Sequence, residues 1–94
     1  MENKVTLTFR KDIVGLAGYK YGRQIYEDQV SGKIDINKDF YIEIPKNIEF
    51  IASSFVQGFF SDILEKIGLS STEKHINILS ENDDVKNDIL SKLI

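Results

Sequence analysis

The residues best suited to chemistry in this chain are two adjacent serines, Ser53 and Ser54, which follow a short apolar run over residues 50–52. An amphipathic helix is predicted to begin here, which places both hydroxyls at a helix N-terminus. Such a terminus has unpaired N–H groups and a partial positive charge, so it favours a capping oxygen or a phosphate. We predict that Ser53 or Ser54 caps this helix, with phosphorylation of Ser53 as the less frequent alternative.

Residue types that support catalysis or metal binding are sparse. The chain has no cysteine and a single histidine, His75, which has no nucleophile or metal-ligand partner at a recognisable spacing. We interpret His75 as a loop or strand-edge residue. Three acids, Asp83, Asp84 and Asp88, fit a helix start and a solvated helix face better than a calcium loop. The sequence therefore predicts a protein that is not an enzyme and that has no metal or cofactor.

The composition of the chain limits the classes of partner and the cellular location that can be expected for it. The 94 residues include 12 Lys and Arg against 15 Asp and Glu, which gives a net charge of −3. The basic residues are scattered, so no footprint for nucleic acid or a membrane surface is expected. No apolar stretch approaches the roughly 20 residues that span a bilayer, and the first residues lack the apolar core of a signal peptide. These features predict a single cytoplasmic domain over residues 1–94.

Strands and helices are predicted to alternate along the chain. Apolar and polar residues alternate in three strands, and apolar residues recur at helical spacing in three helices. The strands are predicted at residues 5–9, 40–44 and 75–79, and the helices at residues 17–30, at 53–67 and from 82 onward. This order predicts a small α/β domain with a mostly parallel or mixed sheet of three to four strands, covered by two to three helices.

Several local features are interpreted from single residues. Residues 13–16 are read as a further short strand that pairs back on the first one. Gly18 and Gly22 lie on one side of the first helix, where they allow close approach to a sheet. Gly68 is predicted to end the second helix, and residues 70–74 are predicted to form a polar loop.

The second helix has an apolar face that is wider than a core-facing helix needs. The apolar residues cover about half of its circumference and are Phe55, Val56, Phe59, Phe60, Ile63, Leu64 and Ile67. This width predicts an exposed edge at Phe55 or at Leu64, and an exposed apolar edge indicates a protein interface.

The strand at residues 40–44, the turn after it and residues 48–55 resemble the STAS-like domain family of unknown function. That family is related to bacterial anti-sigma-factor antagonists. The resemblance covers about residues 17–94 and consists of one short motif together with the order of elements. It implies a small STAS-like fold.

In the antagonists, a serine at the start of the second main helix is phosphorylated by a GHKL-type kinase, which is also the binding partner. By position this serine is Ser53, with Ser54 next to it. Ala52 stands where the family has an acid, and Phe55 stands where it has a glycine. The resemblance thus implies a GHKL-type ATPase or kinase as the partner, with Phe55 adding apolar contact area.

We therefore predict a non-enzymatic regulatory module that binds a protein partner through the N-terminus of the helix at residues 53–67. Phe55, Gln57 and Gly58 are the predicted interface residues, beside Ser53 and Ser54. The alternative is a small inhibitor of the phage or mobile-element type that occludes a larger effector, which the acidic charge and small size also fit. The sequence leaves open whether the chain forms a homodimer.

Overall fold

The computed structural model describes residues 2–93 and consists of five strands and three helices in that range. The strands are β1 (Lys4–Thr6), β2 (Gly15–Leu16), β3 (Phe40–Glu43), β4 (Phe50–Ile51) and β5 (Ile76–Leu79). The helices are α1 (Tyr19–Gln29), α2 (Ser53–His75) and α3 (Asp83–Lys92). The prediction of a small α/β domain is confirmed.

All of the strand pairs are parallel. β1, β3 and β5 form a three-stranded sheet with β3 in the centre, and β2 and β4 form a separate pair. Parallel neighbours cannot be joined by a tight turn, so each pair needs a crossover connection. α1 lies in the crossover from β1 to β3, and α2 lies in the crossover from β3 to β5.

The core lies on one face of the three-stranded sheet. Ile42 and Ile78 are buried on that face, whereas Tyr41 and Leu79 on the opposite face are exposed. Side chains of β3, β5, α2 and α3 meet around an apolar cavity of about 10 Å³, which is too small and too apolar to hold a ligand. The apolar faces of α2 and α3 are therefore packed against the same side of the sheet.

Two glycines bring α1 and α2 into close contact. A Cβ added at Gly22 would lie 2.7 Å from Phe59 N, and one at Gly58 would lie 2.8 Å from Tyr19 C. Neither distance leaves room for a side-chain carbon. The sequence correctly indicated a close approach at Gly22, but the neighbour is α2 and not a sheet.

The prediction that residues 13–16 pair back on the first strand is wrong. Gly15 and Leu16 form β2, which pairs in parallel with Phe50 and Ile51 of β4. β1 pairs instead with β3. Parallel pairing between two-residue strands far apart in the sequence has no local signal in the residue pattern.

Gly68 interrupts the second helix as predicted, since its φ of 79° and ψ of 167° are not helical. A further helical segment follows it, so that α2 continues across this kink to His75. Residues 70–74, predicted to be a loop, are helical. Glycine adopts this strained conformation more readily than any other residue, so Gly68 bends the chain and helical structure resumes after it.

No helix in residues 2–93 is both long enough and apolar enough to cross a membrane.

Candidate functional site: the β4–α2 junction

Two strand-to-helix junctions lie side by side in this fold. β2 leads into α1 and β4 leads into α2, and the parallel pairing aligns Leu16 with Ile51. The pairing continues one residue further, because Ala52 N donates to Leu16 O at 2.8 Å. The carboxyl ends of parallel strands are where open α/β sheets commonly place their functional groups.

Neither predicted serine caps α2. The N-cap residue is Ala52, in an extended conformation and with no side-chain cap, and its carbonyl accepts from Phe55 N at 3.1 Å and Val56 N at 3.2 Å. Pairing with β2 holds Ala52 extended, so the helix begins directly after it. The capping prediction is therefore wrong, because the start of α2 is set by strand pairing and not by side-chain preference.

Ser54 instead connects the two junctions. Its hydroxyl Oγ accepts a hydrogen bond of 2.9 Å from Gly18 N, the N-cap residue of α1, and this contact is half-buried. Gly18 has a φ of 103°, which glycine adopts without strain. No local residue pattern indicates this contact, since 36 residues separate the donor from the acceptor.

Ser53 and Gln57 are exposed one turn apart on α2, whereas Phe55 and Gly58 are buried. The exposed fraction of Phe55 is 3% because its ring packs in the core and against Tyr21, with ring centroids 5.6 Å apart. Of the two edges expected to be exposed, the one at Phe55 is therefore wrong, and Leu64 is half-buried and packs against the core. The Phe55 side chain and the surface at Gly58 are covered by α1 of the same chain.

Val14 and Phe50 are exposed apolar residues at this end that sequence reasoning missed as surface residues, and Tyr19 and Tyr21 of α1 are exposed as well. Phe50 is 55% exposed and Val14 is 42% exposed, the former the highest value among the exposed large apolar residues. Their backbones are adjacent, because Val14 O accepts from Phe50 N at 3.3 Å. The Phe50 ring lies over Gly15, where a Cβ would come within 2.7 Å of ring atom Cε1.

We call the surface formed by Val14, Phe50, Ser53 and Gln57 the junction surface. It combines apolar side chains of Val14, just before β2, and of Phe50 in β4 with polar groups on the first two turns of α2. The first turns of α1 and α2 contain no acidic residue, so the positive ends of their helix dipoles are not neutralised from within these turns. This arrangement fits recognition of a protein surface that supplies an apolar contact and an acidic or polar group.

His75 lies elsewhere, at the end of α2. Its Nδ1 is 3.0 Å from Asp39 Oδ1, across 36 residues of sequence. This pair links the segment before β3 to the segment before β5. The loop or strand-edge interpretation of His75 missed that pairing, which only the parallel register of β3 and β5 creates.

Tyr26 of α1 and Lys66 of α2 lie in another part of the fold, and both have shifted pKa values. Burial raises the pKa of Tyr26 above its ordinary value, and the negative charge of Asp62 raises it further. A hydrogen bond to Asp62 raises the pKa of Lys66, whose Nζ is 3.0 Å from Asp62 Oδ2. These groups form an ion pair above a buried tyrosine, and they are not part of the junction surface.

Comparison of this chain with protein-family models, with curated proteins and with solved structures gave no match.

Proposed function

We propose that this chain is a non-enzymatic interaction module that regulates a protein partner in the cytoplasm, and that the junction surface is where the partner binds. The observation that carries the proposal is the exposure of Phe50 on β4, shortly before Ser53 in the chain, with exposed Val14 on the adjacent backbone segment. Aromatic side chains, Phe among them, are enriched at protein interfaces.

The resemblance to STAS-like domains supports the choice of partner class. In that resemblance Ser53 occupies the position of the regulated serine, and Ser53 is exposed at the N-terminus of α2. We propose a GHKL-type ATPase or kinase as the partner. Gln57 stays a predicted contact, and Phe50 and Val14 take the apolar role that the sequence had assigned to Phe55.

The proposal is tested by affinity capture with matched variants. The tagged chain is compared with Phe50→Ser and with Leu90→Ser, whose leucine is also exposed but belongs to α3. We expect a GHKL-type ATPase with the unmodified chain and with Leu90→Ser, and its loss with Phe50→Ser. Gln57→Arg, which leaves the β2–β4 pair intact, provides a second variant if Phe50→Ser folds poorly.

Recovery of the ATPase at equal yield with Phe50→Ser and Gln57→Arg would show that the partner binds elsewhere. Recovery of a basic, nucleic-acid-handling protein in place of an ATPase, weakened by salt, would favour the alternative of a small inhibitor.

The serine is tested separately. A Ser53→Asp variant adds negative charge to the exposed first turn of α2, as phosphorylation would. If Ser53 is a switch, Ser53→Asp should weaken partner binding whereas Ser53→Ala should not. Equal affinities for both variants, with the fold intact, would remove Ser53 from the proposed mechanism.

A further inference from the structure

The three-stranded sheet leaves one of its faces uncovered. Its outward residues form two rows across β1, β3 and β5, which are Lys4–Tyr41–Asn77 and Thr6–Glu43–Leu79. Tyr41 and Leu79 are each 36% exposed. All-parallel sheets are almost always covered on both faces, and the outward face here presents Tyr41 and Leu79 among four polar residues. We call the face formed by these two rows the open sheet face.

The charges of the open sheet face balance. Lys4 and Glu43 are the charged residues of the two rows, and Lys4 Nζ lies 3.3 Å from Glu43 Oε1. Thr6 also donates to Glu43 Oε1 at 2.9 Å, and these contacts lower the pKa of Glu43. The two rows therefore carry no net charge on a chain with a net charge of −3, so they add no repulsion between two copies that meet there. Glu2, Lys46 and Glu81 line the grooves beside the rows.

We propose that a second copy of this chain packs on the open sheet face, sheet against sheet, with the strands of the two copies antiparallel. The two-fold axis then runs between the two sheets, perpendicular to the strands, so that each row of one copy lies over the other row of the second copy. Tyr41 faces the second copy's Glu43, and Lys4 lies beside the same carboxylate. The cation of each copy meets the anion of the other, which is the charge complementarity that this arrangement needs.

The shape of the face is also self-complementary. Leu79 borders two grooves, one of about 380 Å³ beside Lys4 and Tyr41, and one of about 330 Å³ beside Thr6 and Glu43. Packed sheets lie about 10 Å apart, a distance at which side chains of the two copies interdigitate. Leu79 of each copy can then enter a groove beside Leu79 of the other.

The size of the face sets the strength of the dimer. Three strands of about four residues cover roughly 14 by 13 Å, or about 200 Å². Stable complexes bury about 800 Å² on each partner. Even with the flanking residues the contact is small, so the dimer should be weak and should depend on concentration.

Sedimentation velocity tests the proposal over a concentration range from about 10 μM to about 1 mM. The unmodified chain should shift from monomer towards dimer within this range, and Leu79→Glu should stay monomeric. Leu90→Glu, which changes an exposed residue of α3 off this face, should associate like the unmodified chain. A monomer throughout, or association that survives Leu79→Glu, would overturn the proposal, as would its loss in Leu90→Glu.

A charge-reversal experiment separates contacts between copies from the Lys4–Glu43 pair within one copy. Lys4→Glu leaves two acids on the face, and Glu43→Lys leaves two bases, so each variant alone should associate less than the unmodified chain. An equimolar mixture of the two should regain association, because acidic faces then meet basic ones. A mixture that associates no better than either variant alone would contradict the sheet-to-sheet arrangement.

Discussion

At the scale of single residues, Ser53 and Ser54 differ in what their hydroxyls contact. Ser54 Oγ accepts from Gly18 N in a half-buried contact that joins the two helix starts. Ser53 is exposed and does not cap the helix. A structural role therefore belongs to Ser54, which leaves Ser53 accessible to a kinase or a partner.

Replacing each serine by alanine should separate these roles. Ser54→Ala leaves the Gly18 N–H without its acceptor, so we expect a loss of about 1 kcal/mol in the free energy of unfolding. Ser53→Ala should change that free energy by less than about 0.5 kcal/mol, since it alters an exposed position. Urea unfolding followed by circular dichroism measures both. A loss of unfolding free energy above this limit for Ser53→Ala would indicate that Ser53 caps the helix after all.

The buried phenol of Tyr26 should make stability fall at high pH. Its pKa in the folded chain is raised above the ordinary 10.0, first by burial and then by Asp62. As the pH rises, Tyr26 therefore ionises in the unfolded chain before it ionises in the folded chain. Its contribution to the free energy of unfolding is complete below pH 10.0 and is lost as the pH rises through the pKa that Tyr26 has in the folded chain.

Tyr26→Phe should therefore make the alkaline decline in unfolding free energy shallower. A decline will remain, because the pKa of Lys66 is also raised and acts in the same direction. The assignment fails if Tyr26→Phe gives the same alkaline profile as the unmodified chain.

At the scale of elements, the contact between α1 and α2 depends on the absence of side chains at Gly22 and Gly58. The backbone of Tyr19 lies where a Cβ on Gly58 would be. Backbone cannot move aside as a flexible side chain does, so the helices must separate to accept even a methyl group.

Gly58→Ala should therefore destabilise the chain by about 1 to 3 kcal/mol, the usual cost of overpacking. In an isolated helix the same change would stabilise by about 1 kcal/mol, so the two effects have opposite signs. Gln57→Ala, at the exposed neighbouring position, should have little effect. Thermal unfolding of both variants tests this prediction. A Gly58→Ala variant that is more stable than the unmodified chain would mean that the helices do not touch at this position.

The longer elements could be predicted from the sequence because their signals are local. Alternation in residues 40–44 and the apolar period from Phe55 onward predict β3 and the first part of α2. Residues 13–16 indicated the strand that contains β2, but the pairing of β2 with β4 could not be predicted, because it depends on partners far away in sequence. The same pairing makes Ala52 the N-cap residue of α2, and for this reason the prediction that a serine caps the helix was wrong.

The composition of the candidate site could be predicted only in part for the same reason. Ser53 and Gln57 were predicted from the helix start and are exposed, but Phe55 has the apolar character of a contact residue and is buried by α1. Phe50 reads as one more apolar residue before a helix. Its exposure follows from β4 pairing with β2 at Gly15, which places the ring over that glycine.

At the scale of the whole molecule, two proposed contact surfaces lie on different elements. The junction surface belongs to β2, β4 and the start of α2, whereas the open sheet face belongs to β1, β3 and β5. A dimer that used the open sheet face would leave both junction surfaces free. Each dimer would then bind two partner molecules, and partner binding would not require dissociation of the dimer.

The most direct test of the central claim is hydrogen–deuterium exchange of the chain with and without the captured ATPase. We predict slower exchange in the complex at residues 13–18 and 49–58, which surround Val14, Phe50 and Ser53. Exchange in β3 and β5 should be the same in both samples at a matched chain concentration. Protection confined to β3 and β5, with residues 49–58 unchanged, would contradict the assignment of partner binding to the junction surface.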